Sequence, residues 1–234
     1  LTVGNFWQDT FYGLHHLYIR RMGVYVLMFN MEWFLPGHSC DKCNGGSKHL
    51  VFLAFWLDAI AAHAVDPKEE PEIAPIVLVG THKDRVSSPA DHEMISKMLD
   101  EAFSSKRAWS SVERFKEATV PSGRGTLWFF PVDNTMGNTD PVMEHIQQVV
   151  LERVKKERYV NEKVPFTWLK VLEQLQKGDK GSSITLQQVL AICKDCGLPS
   201  TAEESLEAEV MQMLKRFNDL GQLMHHQDDA KLRE

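Results

Sequence analysis

Two groups of residues in this chain have the types and spacing for chemistry: a polar loop closed by a carboxylate, and two C-x-x-C pairs. The loop ends the stretch Pro75-Ile-Val-Leu-Val-Gly80-Thr-His-Lys-Asp84. Ile76 to Val79 are apolar, largely β-branched and without polar alternation, which predicts a buried parallel strand. Gly80 then opens onto Thr81, His82, Lys83 and Asp84. The carboxyl end of such a strand is where doubly wound α/β proteins bind ligands. An ionised aspartate there can accept two parallel N–H donors at once, a pairing that fixes orientation as well as energy. The plain alternative is a polar loop that follows a core strand.

The four cysteines form the pairs Cys40/Cys43 and Cys193/Cys196, about 150 residues apart. Two such pairs can build a Cys₄ zinc site. Here they fall in regions of different pattern, and Cys193 and Cys196 sit late in an amphipathic helix, where cysteine serves as a small apolar filler. Cys40 and Cys43, with His38 nearby, lie in a polar loop. Reduced thiols and no metal are the expectation.

These groups need a frame. Strands are predicted over Val24–Phe29, Ile76–Val79 and Leu127–Val132. Helices are predicted over Phe11–Arg21, Lys48–His63, Pro89–Ser105 and Pro141–Glu157. Strand–helix alternation at this spacing implies βαβ units and a parallel sheet. Ser88-Pro89 reads as an N-cap followed by proline at the first helical position. Val142, Ile146, Val149, Val150 and Val154 repeat at helical spacing. The stretches from Pro36 to Lys48 and from Asp66 to Pro71 read as loops.

The order of these elements resembles the Roc–COR unit of the Roco family, which includes the leucine-rich-repeat kinases. The residues that carry the resemblance are Phe11-Tyr-Gly-Leu-His-His-Leu-Tyr18, Gly23-Val-Tyr-Val-Leu-Met-Phe-Asn30, Asp58-Ala-Ile-Ala-Ala-His63, the Thr81–Asp84 loop, Phe129-Phe-Pro-Val-Asp-Asn134 and Val164-Pro-Phe-Thr-Trp-Leu169. It implies an α/β fold: part of a Ras-like P-loop NTPase domain over residues 1–158, then the start of COR over 164–234. In Ras-like GTPases the loop after the corresponding strand reads guanine through an Asn-Lys-x-Asp tetrad. Thr81-His82-Lys83-Asp84 resembles a variant of it. Guanine presents N1–H and its 2-amino group on one edge, and Asp84 would accept both. Adenine lacks that pattern. Thr81 would brace the loop by side-chain-to-backbone bonds, and His82 would offer a flat ring to the base. Lys83 fills the variable position, where a solvated charge is the plain reading. Asp133-Asn134-Thr135 would be the loop whose backbone N–H meets the guanine carbonyl, and it reads equally as an Asx turn.

The resemblance further implies GTP or GDP as ligand and Mg²⁺ in the intact protein. It also implies a role in signal transduction, and protein partners or self-association through Roc–COR. Roc domains carry Asp-x-Gly-Gly-Gln before the Phe-Tyr segment; this chain has Gly4-Asn-Phe-Trp-Gln-Asp9. With Gln8 in register as the water-positioning, catalytic candidate, Asn5 stands near the Asp and Trp7 near a Gly. Asparagine supplies no anionic charge for Mg²⁺, and tryptophan blocks close approach to a phosphate. No Gly-x4-Gly-Lys-Ser/Thr occurs in the sequence, so phosphate binding is expected from a segment upstream of Leu1 in a longer polypeptide. This chain alone is expected to hydrolyse no GTP. The competing reading is a pseudo-GTPase or scaffold that serves interactions without hydrolysis.

Beyond about Tyr159 the pattern turns all-helical. A helix is predicted from Pro165 to about Gln176. A second is capped by Thr185 and Gln188 in a capping box, with Ile184 and Val189 as a hydrophobic staple, and ends at Gly197. A third is capped by Thr201 and Glu204 and stopped by Gly221. Gln222 to His226 are expected to open a β-hairpin, making the segment winged-helix-like. A DNA-binding role is disfavoured: Pro165–Glu234 holds 8 basic and 11 acidic residues, without the basic footprint that DNA demands. The whole chain of 234 residues carries a net charge of −6, which also argues against nucleic acid and anionic membranes. No apolar run approaches the roughly 18 residues of a membrane span, and no basic-then-apolar leader opens the sequence. A cytoplasmic location is the expectation.

Overall fold

The computed structural model describes residues 19, 23–36, 47–64, 73–116, 126–177, 183–200 and 205–225. The chain divides into two compact units, Leu1–Val160 and Asn161–Glu234. The described residues hold an α/β fold with a three-stranded parallel sheet and seven α-helices.

In the first unit the sheet is built from β1 (Tyr25–Asn30), β2 (Ile76–Thr81) and β5 (Phe130–Pro131), in the order β1-β2-β5. Tyr25 to Asn30 pair in parallel with Ile76 to Thr81, and Val79 and Gly80 with Phe130 and Pro131. The central strand is the most apolar, and all of Ile76 to Gly80 is buried. That is the burial a strand between two neighbours and under helices must reach. Helices α1 (Ser47–His63), α2 (Pro89–Phe103) and α3 (Pro141–Lys156) each turn an apolar row into the same core. The rows are Leu53, Leu57 and Ile60; Ile95, Leu99 and Phe103; and Val142 and Ile146. Their spacings of three and four residues are those of one helix face.

Gly80 sits where no other residue fits. A Cβ there would lie 2.7 Å from Phe129 Cδ2 and 2.8 Å from Met31 Cγ, and both side chains are fully buried.

The strand expected over Leu127–Val132 is two short strands. Thr126–Leu127 (β4) pairs antiparallel with Phe115–Lys116 (β3), and only Phe130–Pro131 joins the sheet. The reason lies between them. The Trp128 N–H goes to Ser96 Oγ at 3.0 Å rather than to a strand, and Pro131 has no N–H to extend a ladder. Helix α1 begins at Ser47, inside the stretch read as loop. The helix expected over Phe11–Arg21 lies outside the described residues apart from Ile19, which is buried.

The helix α4 (Arg158–Asn161) spans the boundary between the units. The second unit packs α5 (Phe166–Lys177), α6 (Leu186–Asp195) and α7 (Leu206–Asp219) around Val171, Val189, Cys193, Val210, Met213, Leu214 and Phe217. Thr185 and Gln188 form the reciprocal capping box. Ile184 is exposed instead of stapling it. The N-cap of α7 is Ser205, whose Oγ accepts from Ala208 N, and Thr201 and Glu204 lie outside the described residues. Helices α6 and α7 both end in a left-handed glycine, Gly197 (φ +92) and Gly221 (φ +69). In each, the residue after the glycine donates back to the helix: Leu198 N to Cys193 O, and Gln222 N to Phe217 O. This is the Schellman closure. Of Gln222–His226, expected to open a hairpin, residues 222–225 are described and form no strand: Gln222 N closes the cap, and His225 N donates to Asn218 Oδ1. The described residues of this unit are helical and contain no strand.

A buried carboxylate on α7 ties α5 to the segment that follows α6. Glu209, 2% exposed, accepts from Trp168 Nε1 at 2.8 Å and from Ser200 N at 2.6 Å. Burial pushes its pKa up, but the bonds from Ser200 and Trp168 outweigh that and hold it below the usual carboxylate range. Cys193, by contrast, is a thiol pushed up to about 11 by burial, then by Cys196 and Glu209. It stays protonated at neutral pH, as filler would.

Gly80→Ala should therefore cost about 1–3 kcal/mol, the penalty of overpacking a filled core. Urea denaturation would read this as a lowered midpoint; an unchanged midpoint would mean that Phe129 and Met31 can yield. For Glu209, a lowered folded pKa contributes stability that is present above its unfolded value, about 4.3. That stability is lost as pH falls through the folded value. Glu209→Gln should flatten this acid limb and lower stability at pH 7 by about 1–3 kcal/mol. The indole N–H resonance of Trp168 reports both.

Candidate functional site at the carboxyl end of the sheet

Parallel pairing brings the residues that follow β1, β2 and β5 to one end of the sheet. Asn30 is opposite Thr81, and Gly80 is opposite Pro131. The exits of β2 and β5 are also bonded to each other. Val132 N donates to Gly80 O at 2.8 Å, and Lys83 N donates to Val132 O at 3.1 Å. The Thr81–Asp84 loop and the Asp133–Thr135 loop are thus held side by side by main-chain bonds.

Each predicted residue has a definite setting. Thr81 Oγ1 donates to Phe29 O at 3.0 Å, bracing β2 against β1 as its residue type suggested. His82 is the only non-glycine residue with positive φ, +65°, among those described. Such a backbone is uncommon outside glycine. It is held because the His82 carbonyl accepts from both Arg85 N and Val86 N, at 3.1 and 3.0 Å. The ring is half-buried, with Nδ1 4.0 Å from Glu32 Oε2. Lys83 faces Asp133 closely enough to favour its ionised form. Asp84 is exposed, and its Oδ2 is 3.8 Å from Arg85 Nε. That exceeds hydrogen-bond reach, so both carboxylate oxygens remain able to accept.

The second loop is built as an Asx turn. Asp133 Oδ1 accepts from Thr135 Oγ1 at 2.6 Å and from Thr135 N at 2.8 Å. The Thr135 hydroxyl, foremost, holds the Asp133 carboxyl below its usual range. Asp133 N donates to Asp140 Oδ2 at 2.7 Å. With the Asp133 and Thr135 N–H groups committed, the Asn134 N–H is the one in this loop that neither bond uses. Asn134 itself is exposed.

Five residues missed in the sequence complete the site. Asp140, 2% exposed, spends both oxygens: Oδ1 caps α3 through Val142 N at 2.8 Å, and Oδ2 takes Asp133 N. Asp-Pro ahead of an apolar helical repeat is a cap signal, and it was there to be read. His92, 1% exposed, donates Nε2–H to Val86 O at 2.6 Å and so closes the turn that carries His82. Its place four residues into α2 gives no sequence sign of this. Glu32 and Arg85 pair across the exits of β1 and β2, with Arg85 Nη1 3.2 and 3.4 Å from the Glu32 oxygens. Asn30 Oδ1 accepts from Glu32 N at 2.8 Å and caps the short turn Met31–Phe34.

Gln8, with Asn5 and Trp7, lies outside the described residues, as do His38, Cys40 and Cys43. Among the described residues no group of three His, Cys, Asp or Glu side chains is placed to hold a metal ion, and no helix is long and apolar enough to cross a membrane. A scan against protein-family models and a search of curated proteins both find no match to the chain.

Asp140→Ala should cost about 1–2 kcal/mol, the loss of a helix cap, and should also free the Asp133–Thr135 loop. Amide hydrogen exchange would show faster exchange at Asp133 and Val142 together. Faster exchange at Val142 alone would mean that Asp140 caps the helix without bracing the loop.

Proposed function

We propose that this chain carries the base-reading part of a guanine-nucleotide site in a Roc–COR unit of the Roco kind, a GTP-dependent switch in the intact protein. One observation carries the reading. An exposed aspartate with two open acceptor oxygens closes the loop after the buried central strand of a parallel sheet. That loop is bonded to the loop after the next strand through Lys83 N and Val132 O. A planar ligand edge with two adjacent N–H donors could be accepted by such a carboxylate, and the Asp133–Thr135 loop is bonded alongside it.

In this reading Asp84 accepts guanine N1–H and the 2-amino group, and Asn134 N–H meets the carbonyl. His82 lends its ring to the base face, and Thr81 keeps the loop seated on β1. Lys83 contributes its backbone N–H to the loop and its charge to Asp133. Phosphates and Mg²⁺ belong to residues outside this sequence, because the chain holds no Gly-x4-Gly-Lys-Ser/Thr. When bound, Mg²⁺ would supply charge neutralisation at the phosphates. The second unit would be the start of COR and would serve protein partners or self-association. The scaffold alternative, without hydrolysis, is favoured by one feature: Asn5-Phe6-Trp7-Gln8 stands where the family has Asp, glycines and Gln.

The test is Asp84→Asn in the intact protein. The substitution turns one acceptor into an NH₂ that faces a guanine donor. GTP affinity should fall by about 2–4 kcal/mol, roughly 30- to 1,000-fold. Xanthine carries an oxygen in place of the 2-amino group, so XTP should bind better than GTP. Lys83→Ala should change affinity by no more than about twofold, the scale of a partly exposed charge, because what Lys83 gives the loop is its backbone N–H. GTP affinity unchanged by Asp84→Asn would remove the base-reading role and leave the scaffold.

A further inference from the structure

We propose that Glu32 is a positioning residue for the base-reading loop: by holding the Arg85 guanidinium, it keeps the Asp84 carboxylate open to a ligand. The inference rests on the guanine reading above and adds a residue from a different strand.

Arg85 follows Asp84 directly, and a guanidinium next to a carboxylate tends to form a two-bond pair with it. Such a pair would occupy the oxygens that a base edge needs. It does not form here. Arg85 Nε stops 3.8 Å from Asp84 Oδ2, beyond hydrogen-bond length, while Nη1 reaches both Glu32 oxygens at 3.2 and 3.4 Å. Arg85 is thus shared unequally between two carboxylates, and Glu32 holds the closer share.

Glu32 can act as the anchor because its own position is fixed. Its backbone N–H is bonded to Asn30 Oδ1, and its Oε2 lies 3.4 Å from Asn30 Nδ2. It follows directly on Met31, which is fully buried and lies beside the position a Gly80 Cβ would take. The Glu32 side chain is 19% exposed, against 62% for Arg85, so the anchor is the stiffer partner. His82 Nδ1, at 4.0 Å from the same Oε2, brings a second loop residue to this carboxylate. With the Glu32 charge removed, Asp84 is the carboxylate left beside Arg85. The guanidinium would then close on it and compete with the ligand.

A double-mutant cycle in the intact protein tests this, read as GTP dissociation constants. Glu32→Gln should weaken GTP binding about three- to fivefold, the scale of a partly exposed ion pair. In an Arg85→Ala background the same substitution should have no effect, because nothing remains to close on Asp84. Glu32→Asp, which keeps the charge, should recover most of the loss. An equal loss with and without Arg85 would mean that Glu32 acts through the fold, and no loss in either background would mean that it does not act; both overturn the proposal. Asp84→Asn, run alongside, separates the two levels. If it abolishes GTP preference while the cycle shows no coupling, only the role of Glu32 fails. If it leaves GTP binding intact, the base reading fails and this inference with it.

Discussion

The first unit depends on the seating of β2 between β1 and β5. A strand in that position loses both faces and both edges to its neighbours, so it must be apolar along its length and must find partners for its backbone. Ile76 to Val79 meet the first demand, and Gly80 meets a further one. Phe129 and Met31 close over Gly80 at distances that leave no room for a Cβ, and its carbonyl takes Val132 N. Because that bond lies at the last turn of the chain before the loop, the same residue sets both the packing of the core and the approach of the two loops. The polar residues on either side of it are held from both neighbouring strands. Thr81 is bonded to β1, Lys83 to the residue after β5, and His82 is forced into a left-handed backbone between them.

The polar side chains form a graded set. Asp140 and His92, which hold the loops, are buried: Asp140 spends both oxygens locally, and His92 spends its Nε2–H. Asp133 is half-buried and committed to its own turn. Asp84 and Asn134 are exposed and keep acceptor or donor capacity. A site that must bind and release a ligand needs this division, since the parts that orient should not be the parts that exchange partners. Glu32 and Arg85 stand between the two classes, one half-buried and one exposed.

How much of this was legible depends on the range of each interaction. Strand β2, the helices over 89–103 and 141–156, and the capping box at Thr185 are written in local patterns, and the sequence predicts them within a residue or two. The loop residues Thr81 to Asp84 were also legible, because an apolar run ending in glycine and a carboxylate is itself local. What could not be read depends on partners far along the chain. The break at Trp128 needs Ser96 to take its N–H. The clamp from His92 and the Glu32–Arg85 pair are contacts between separate elements. Residues 222–225 resemble a strand start, but Gly221 turns them back to cap α7. The last helix of the second unit behaves in the same way: Glu209 looks like one more surface charge on an acidic helix, and only the fold reveals that Trp168 and Ser200 make it a buried acceptor.

The proposed role of the loops after β2 and β5 is to read a guanine edge together. The most direct measurement is a ¹H–¹⁵N titration of this 234-residue chain with GMP and, separately, with AMP. Without a phosphate loop the affinity should be weak, so the readout is where the shifts fall. GMP should move the amides of residues 81–85 and 133–135 together, and AMP at the same concentration should leave them in place. Equal shifts with both nucleotides, or GMP shifts confined to other parts of the chain, would contradict it.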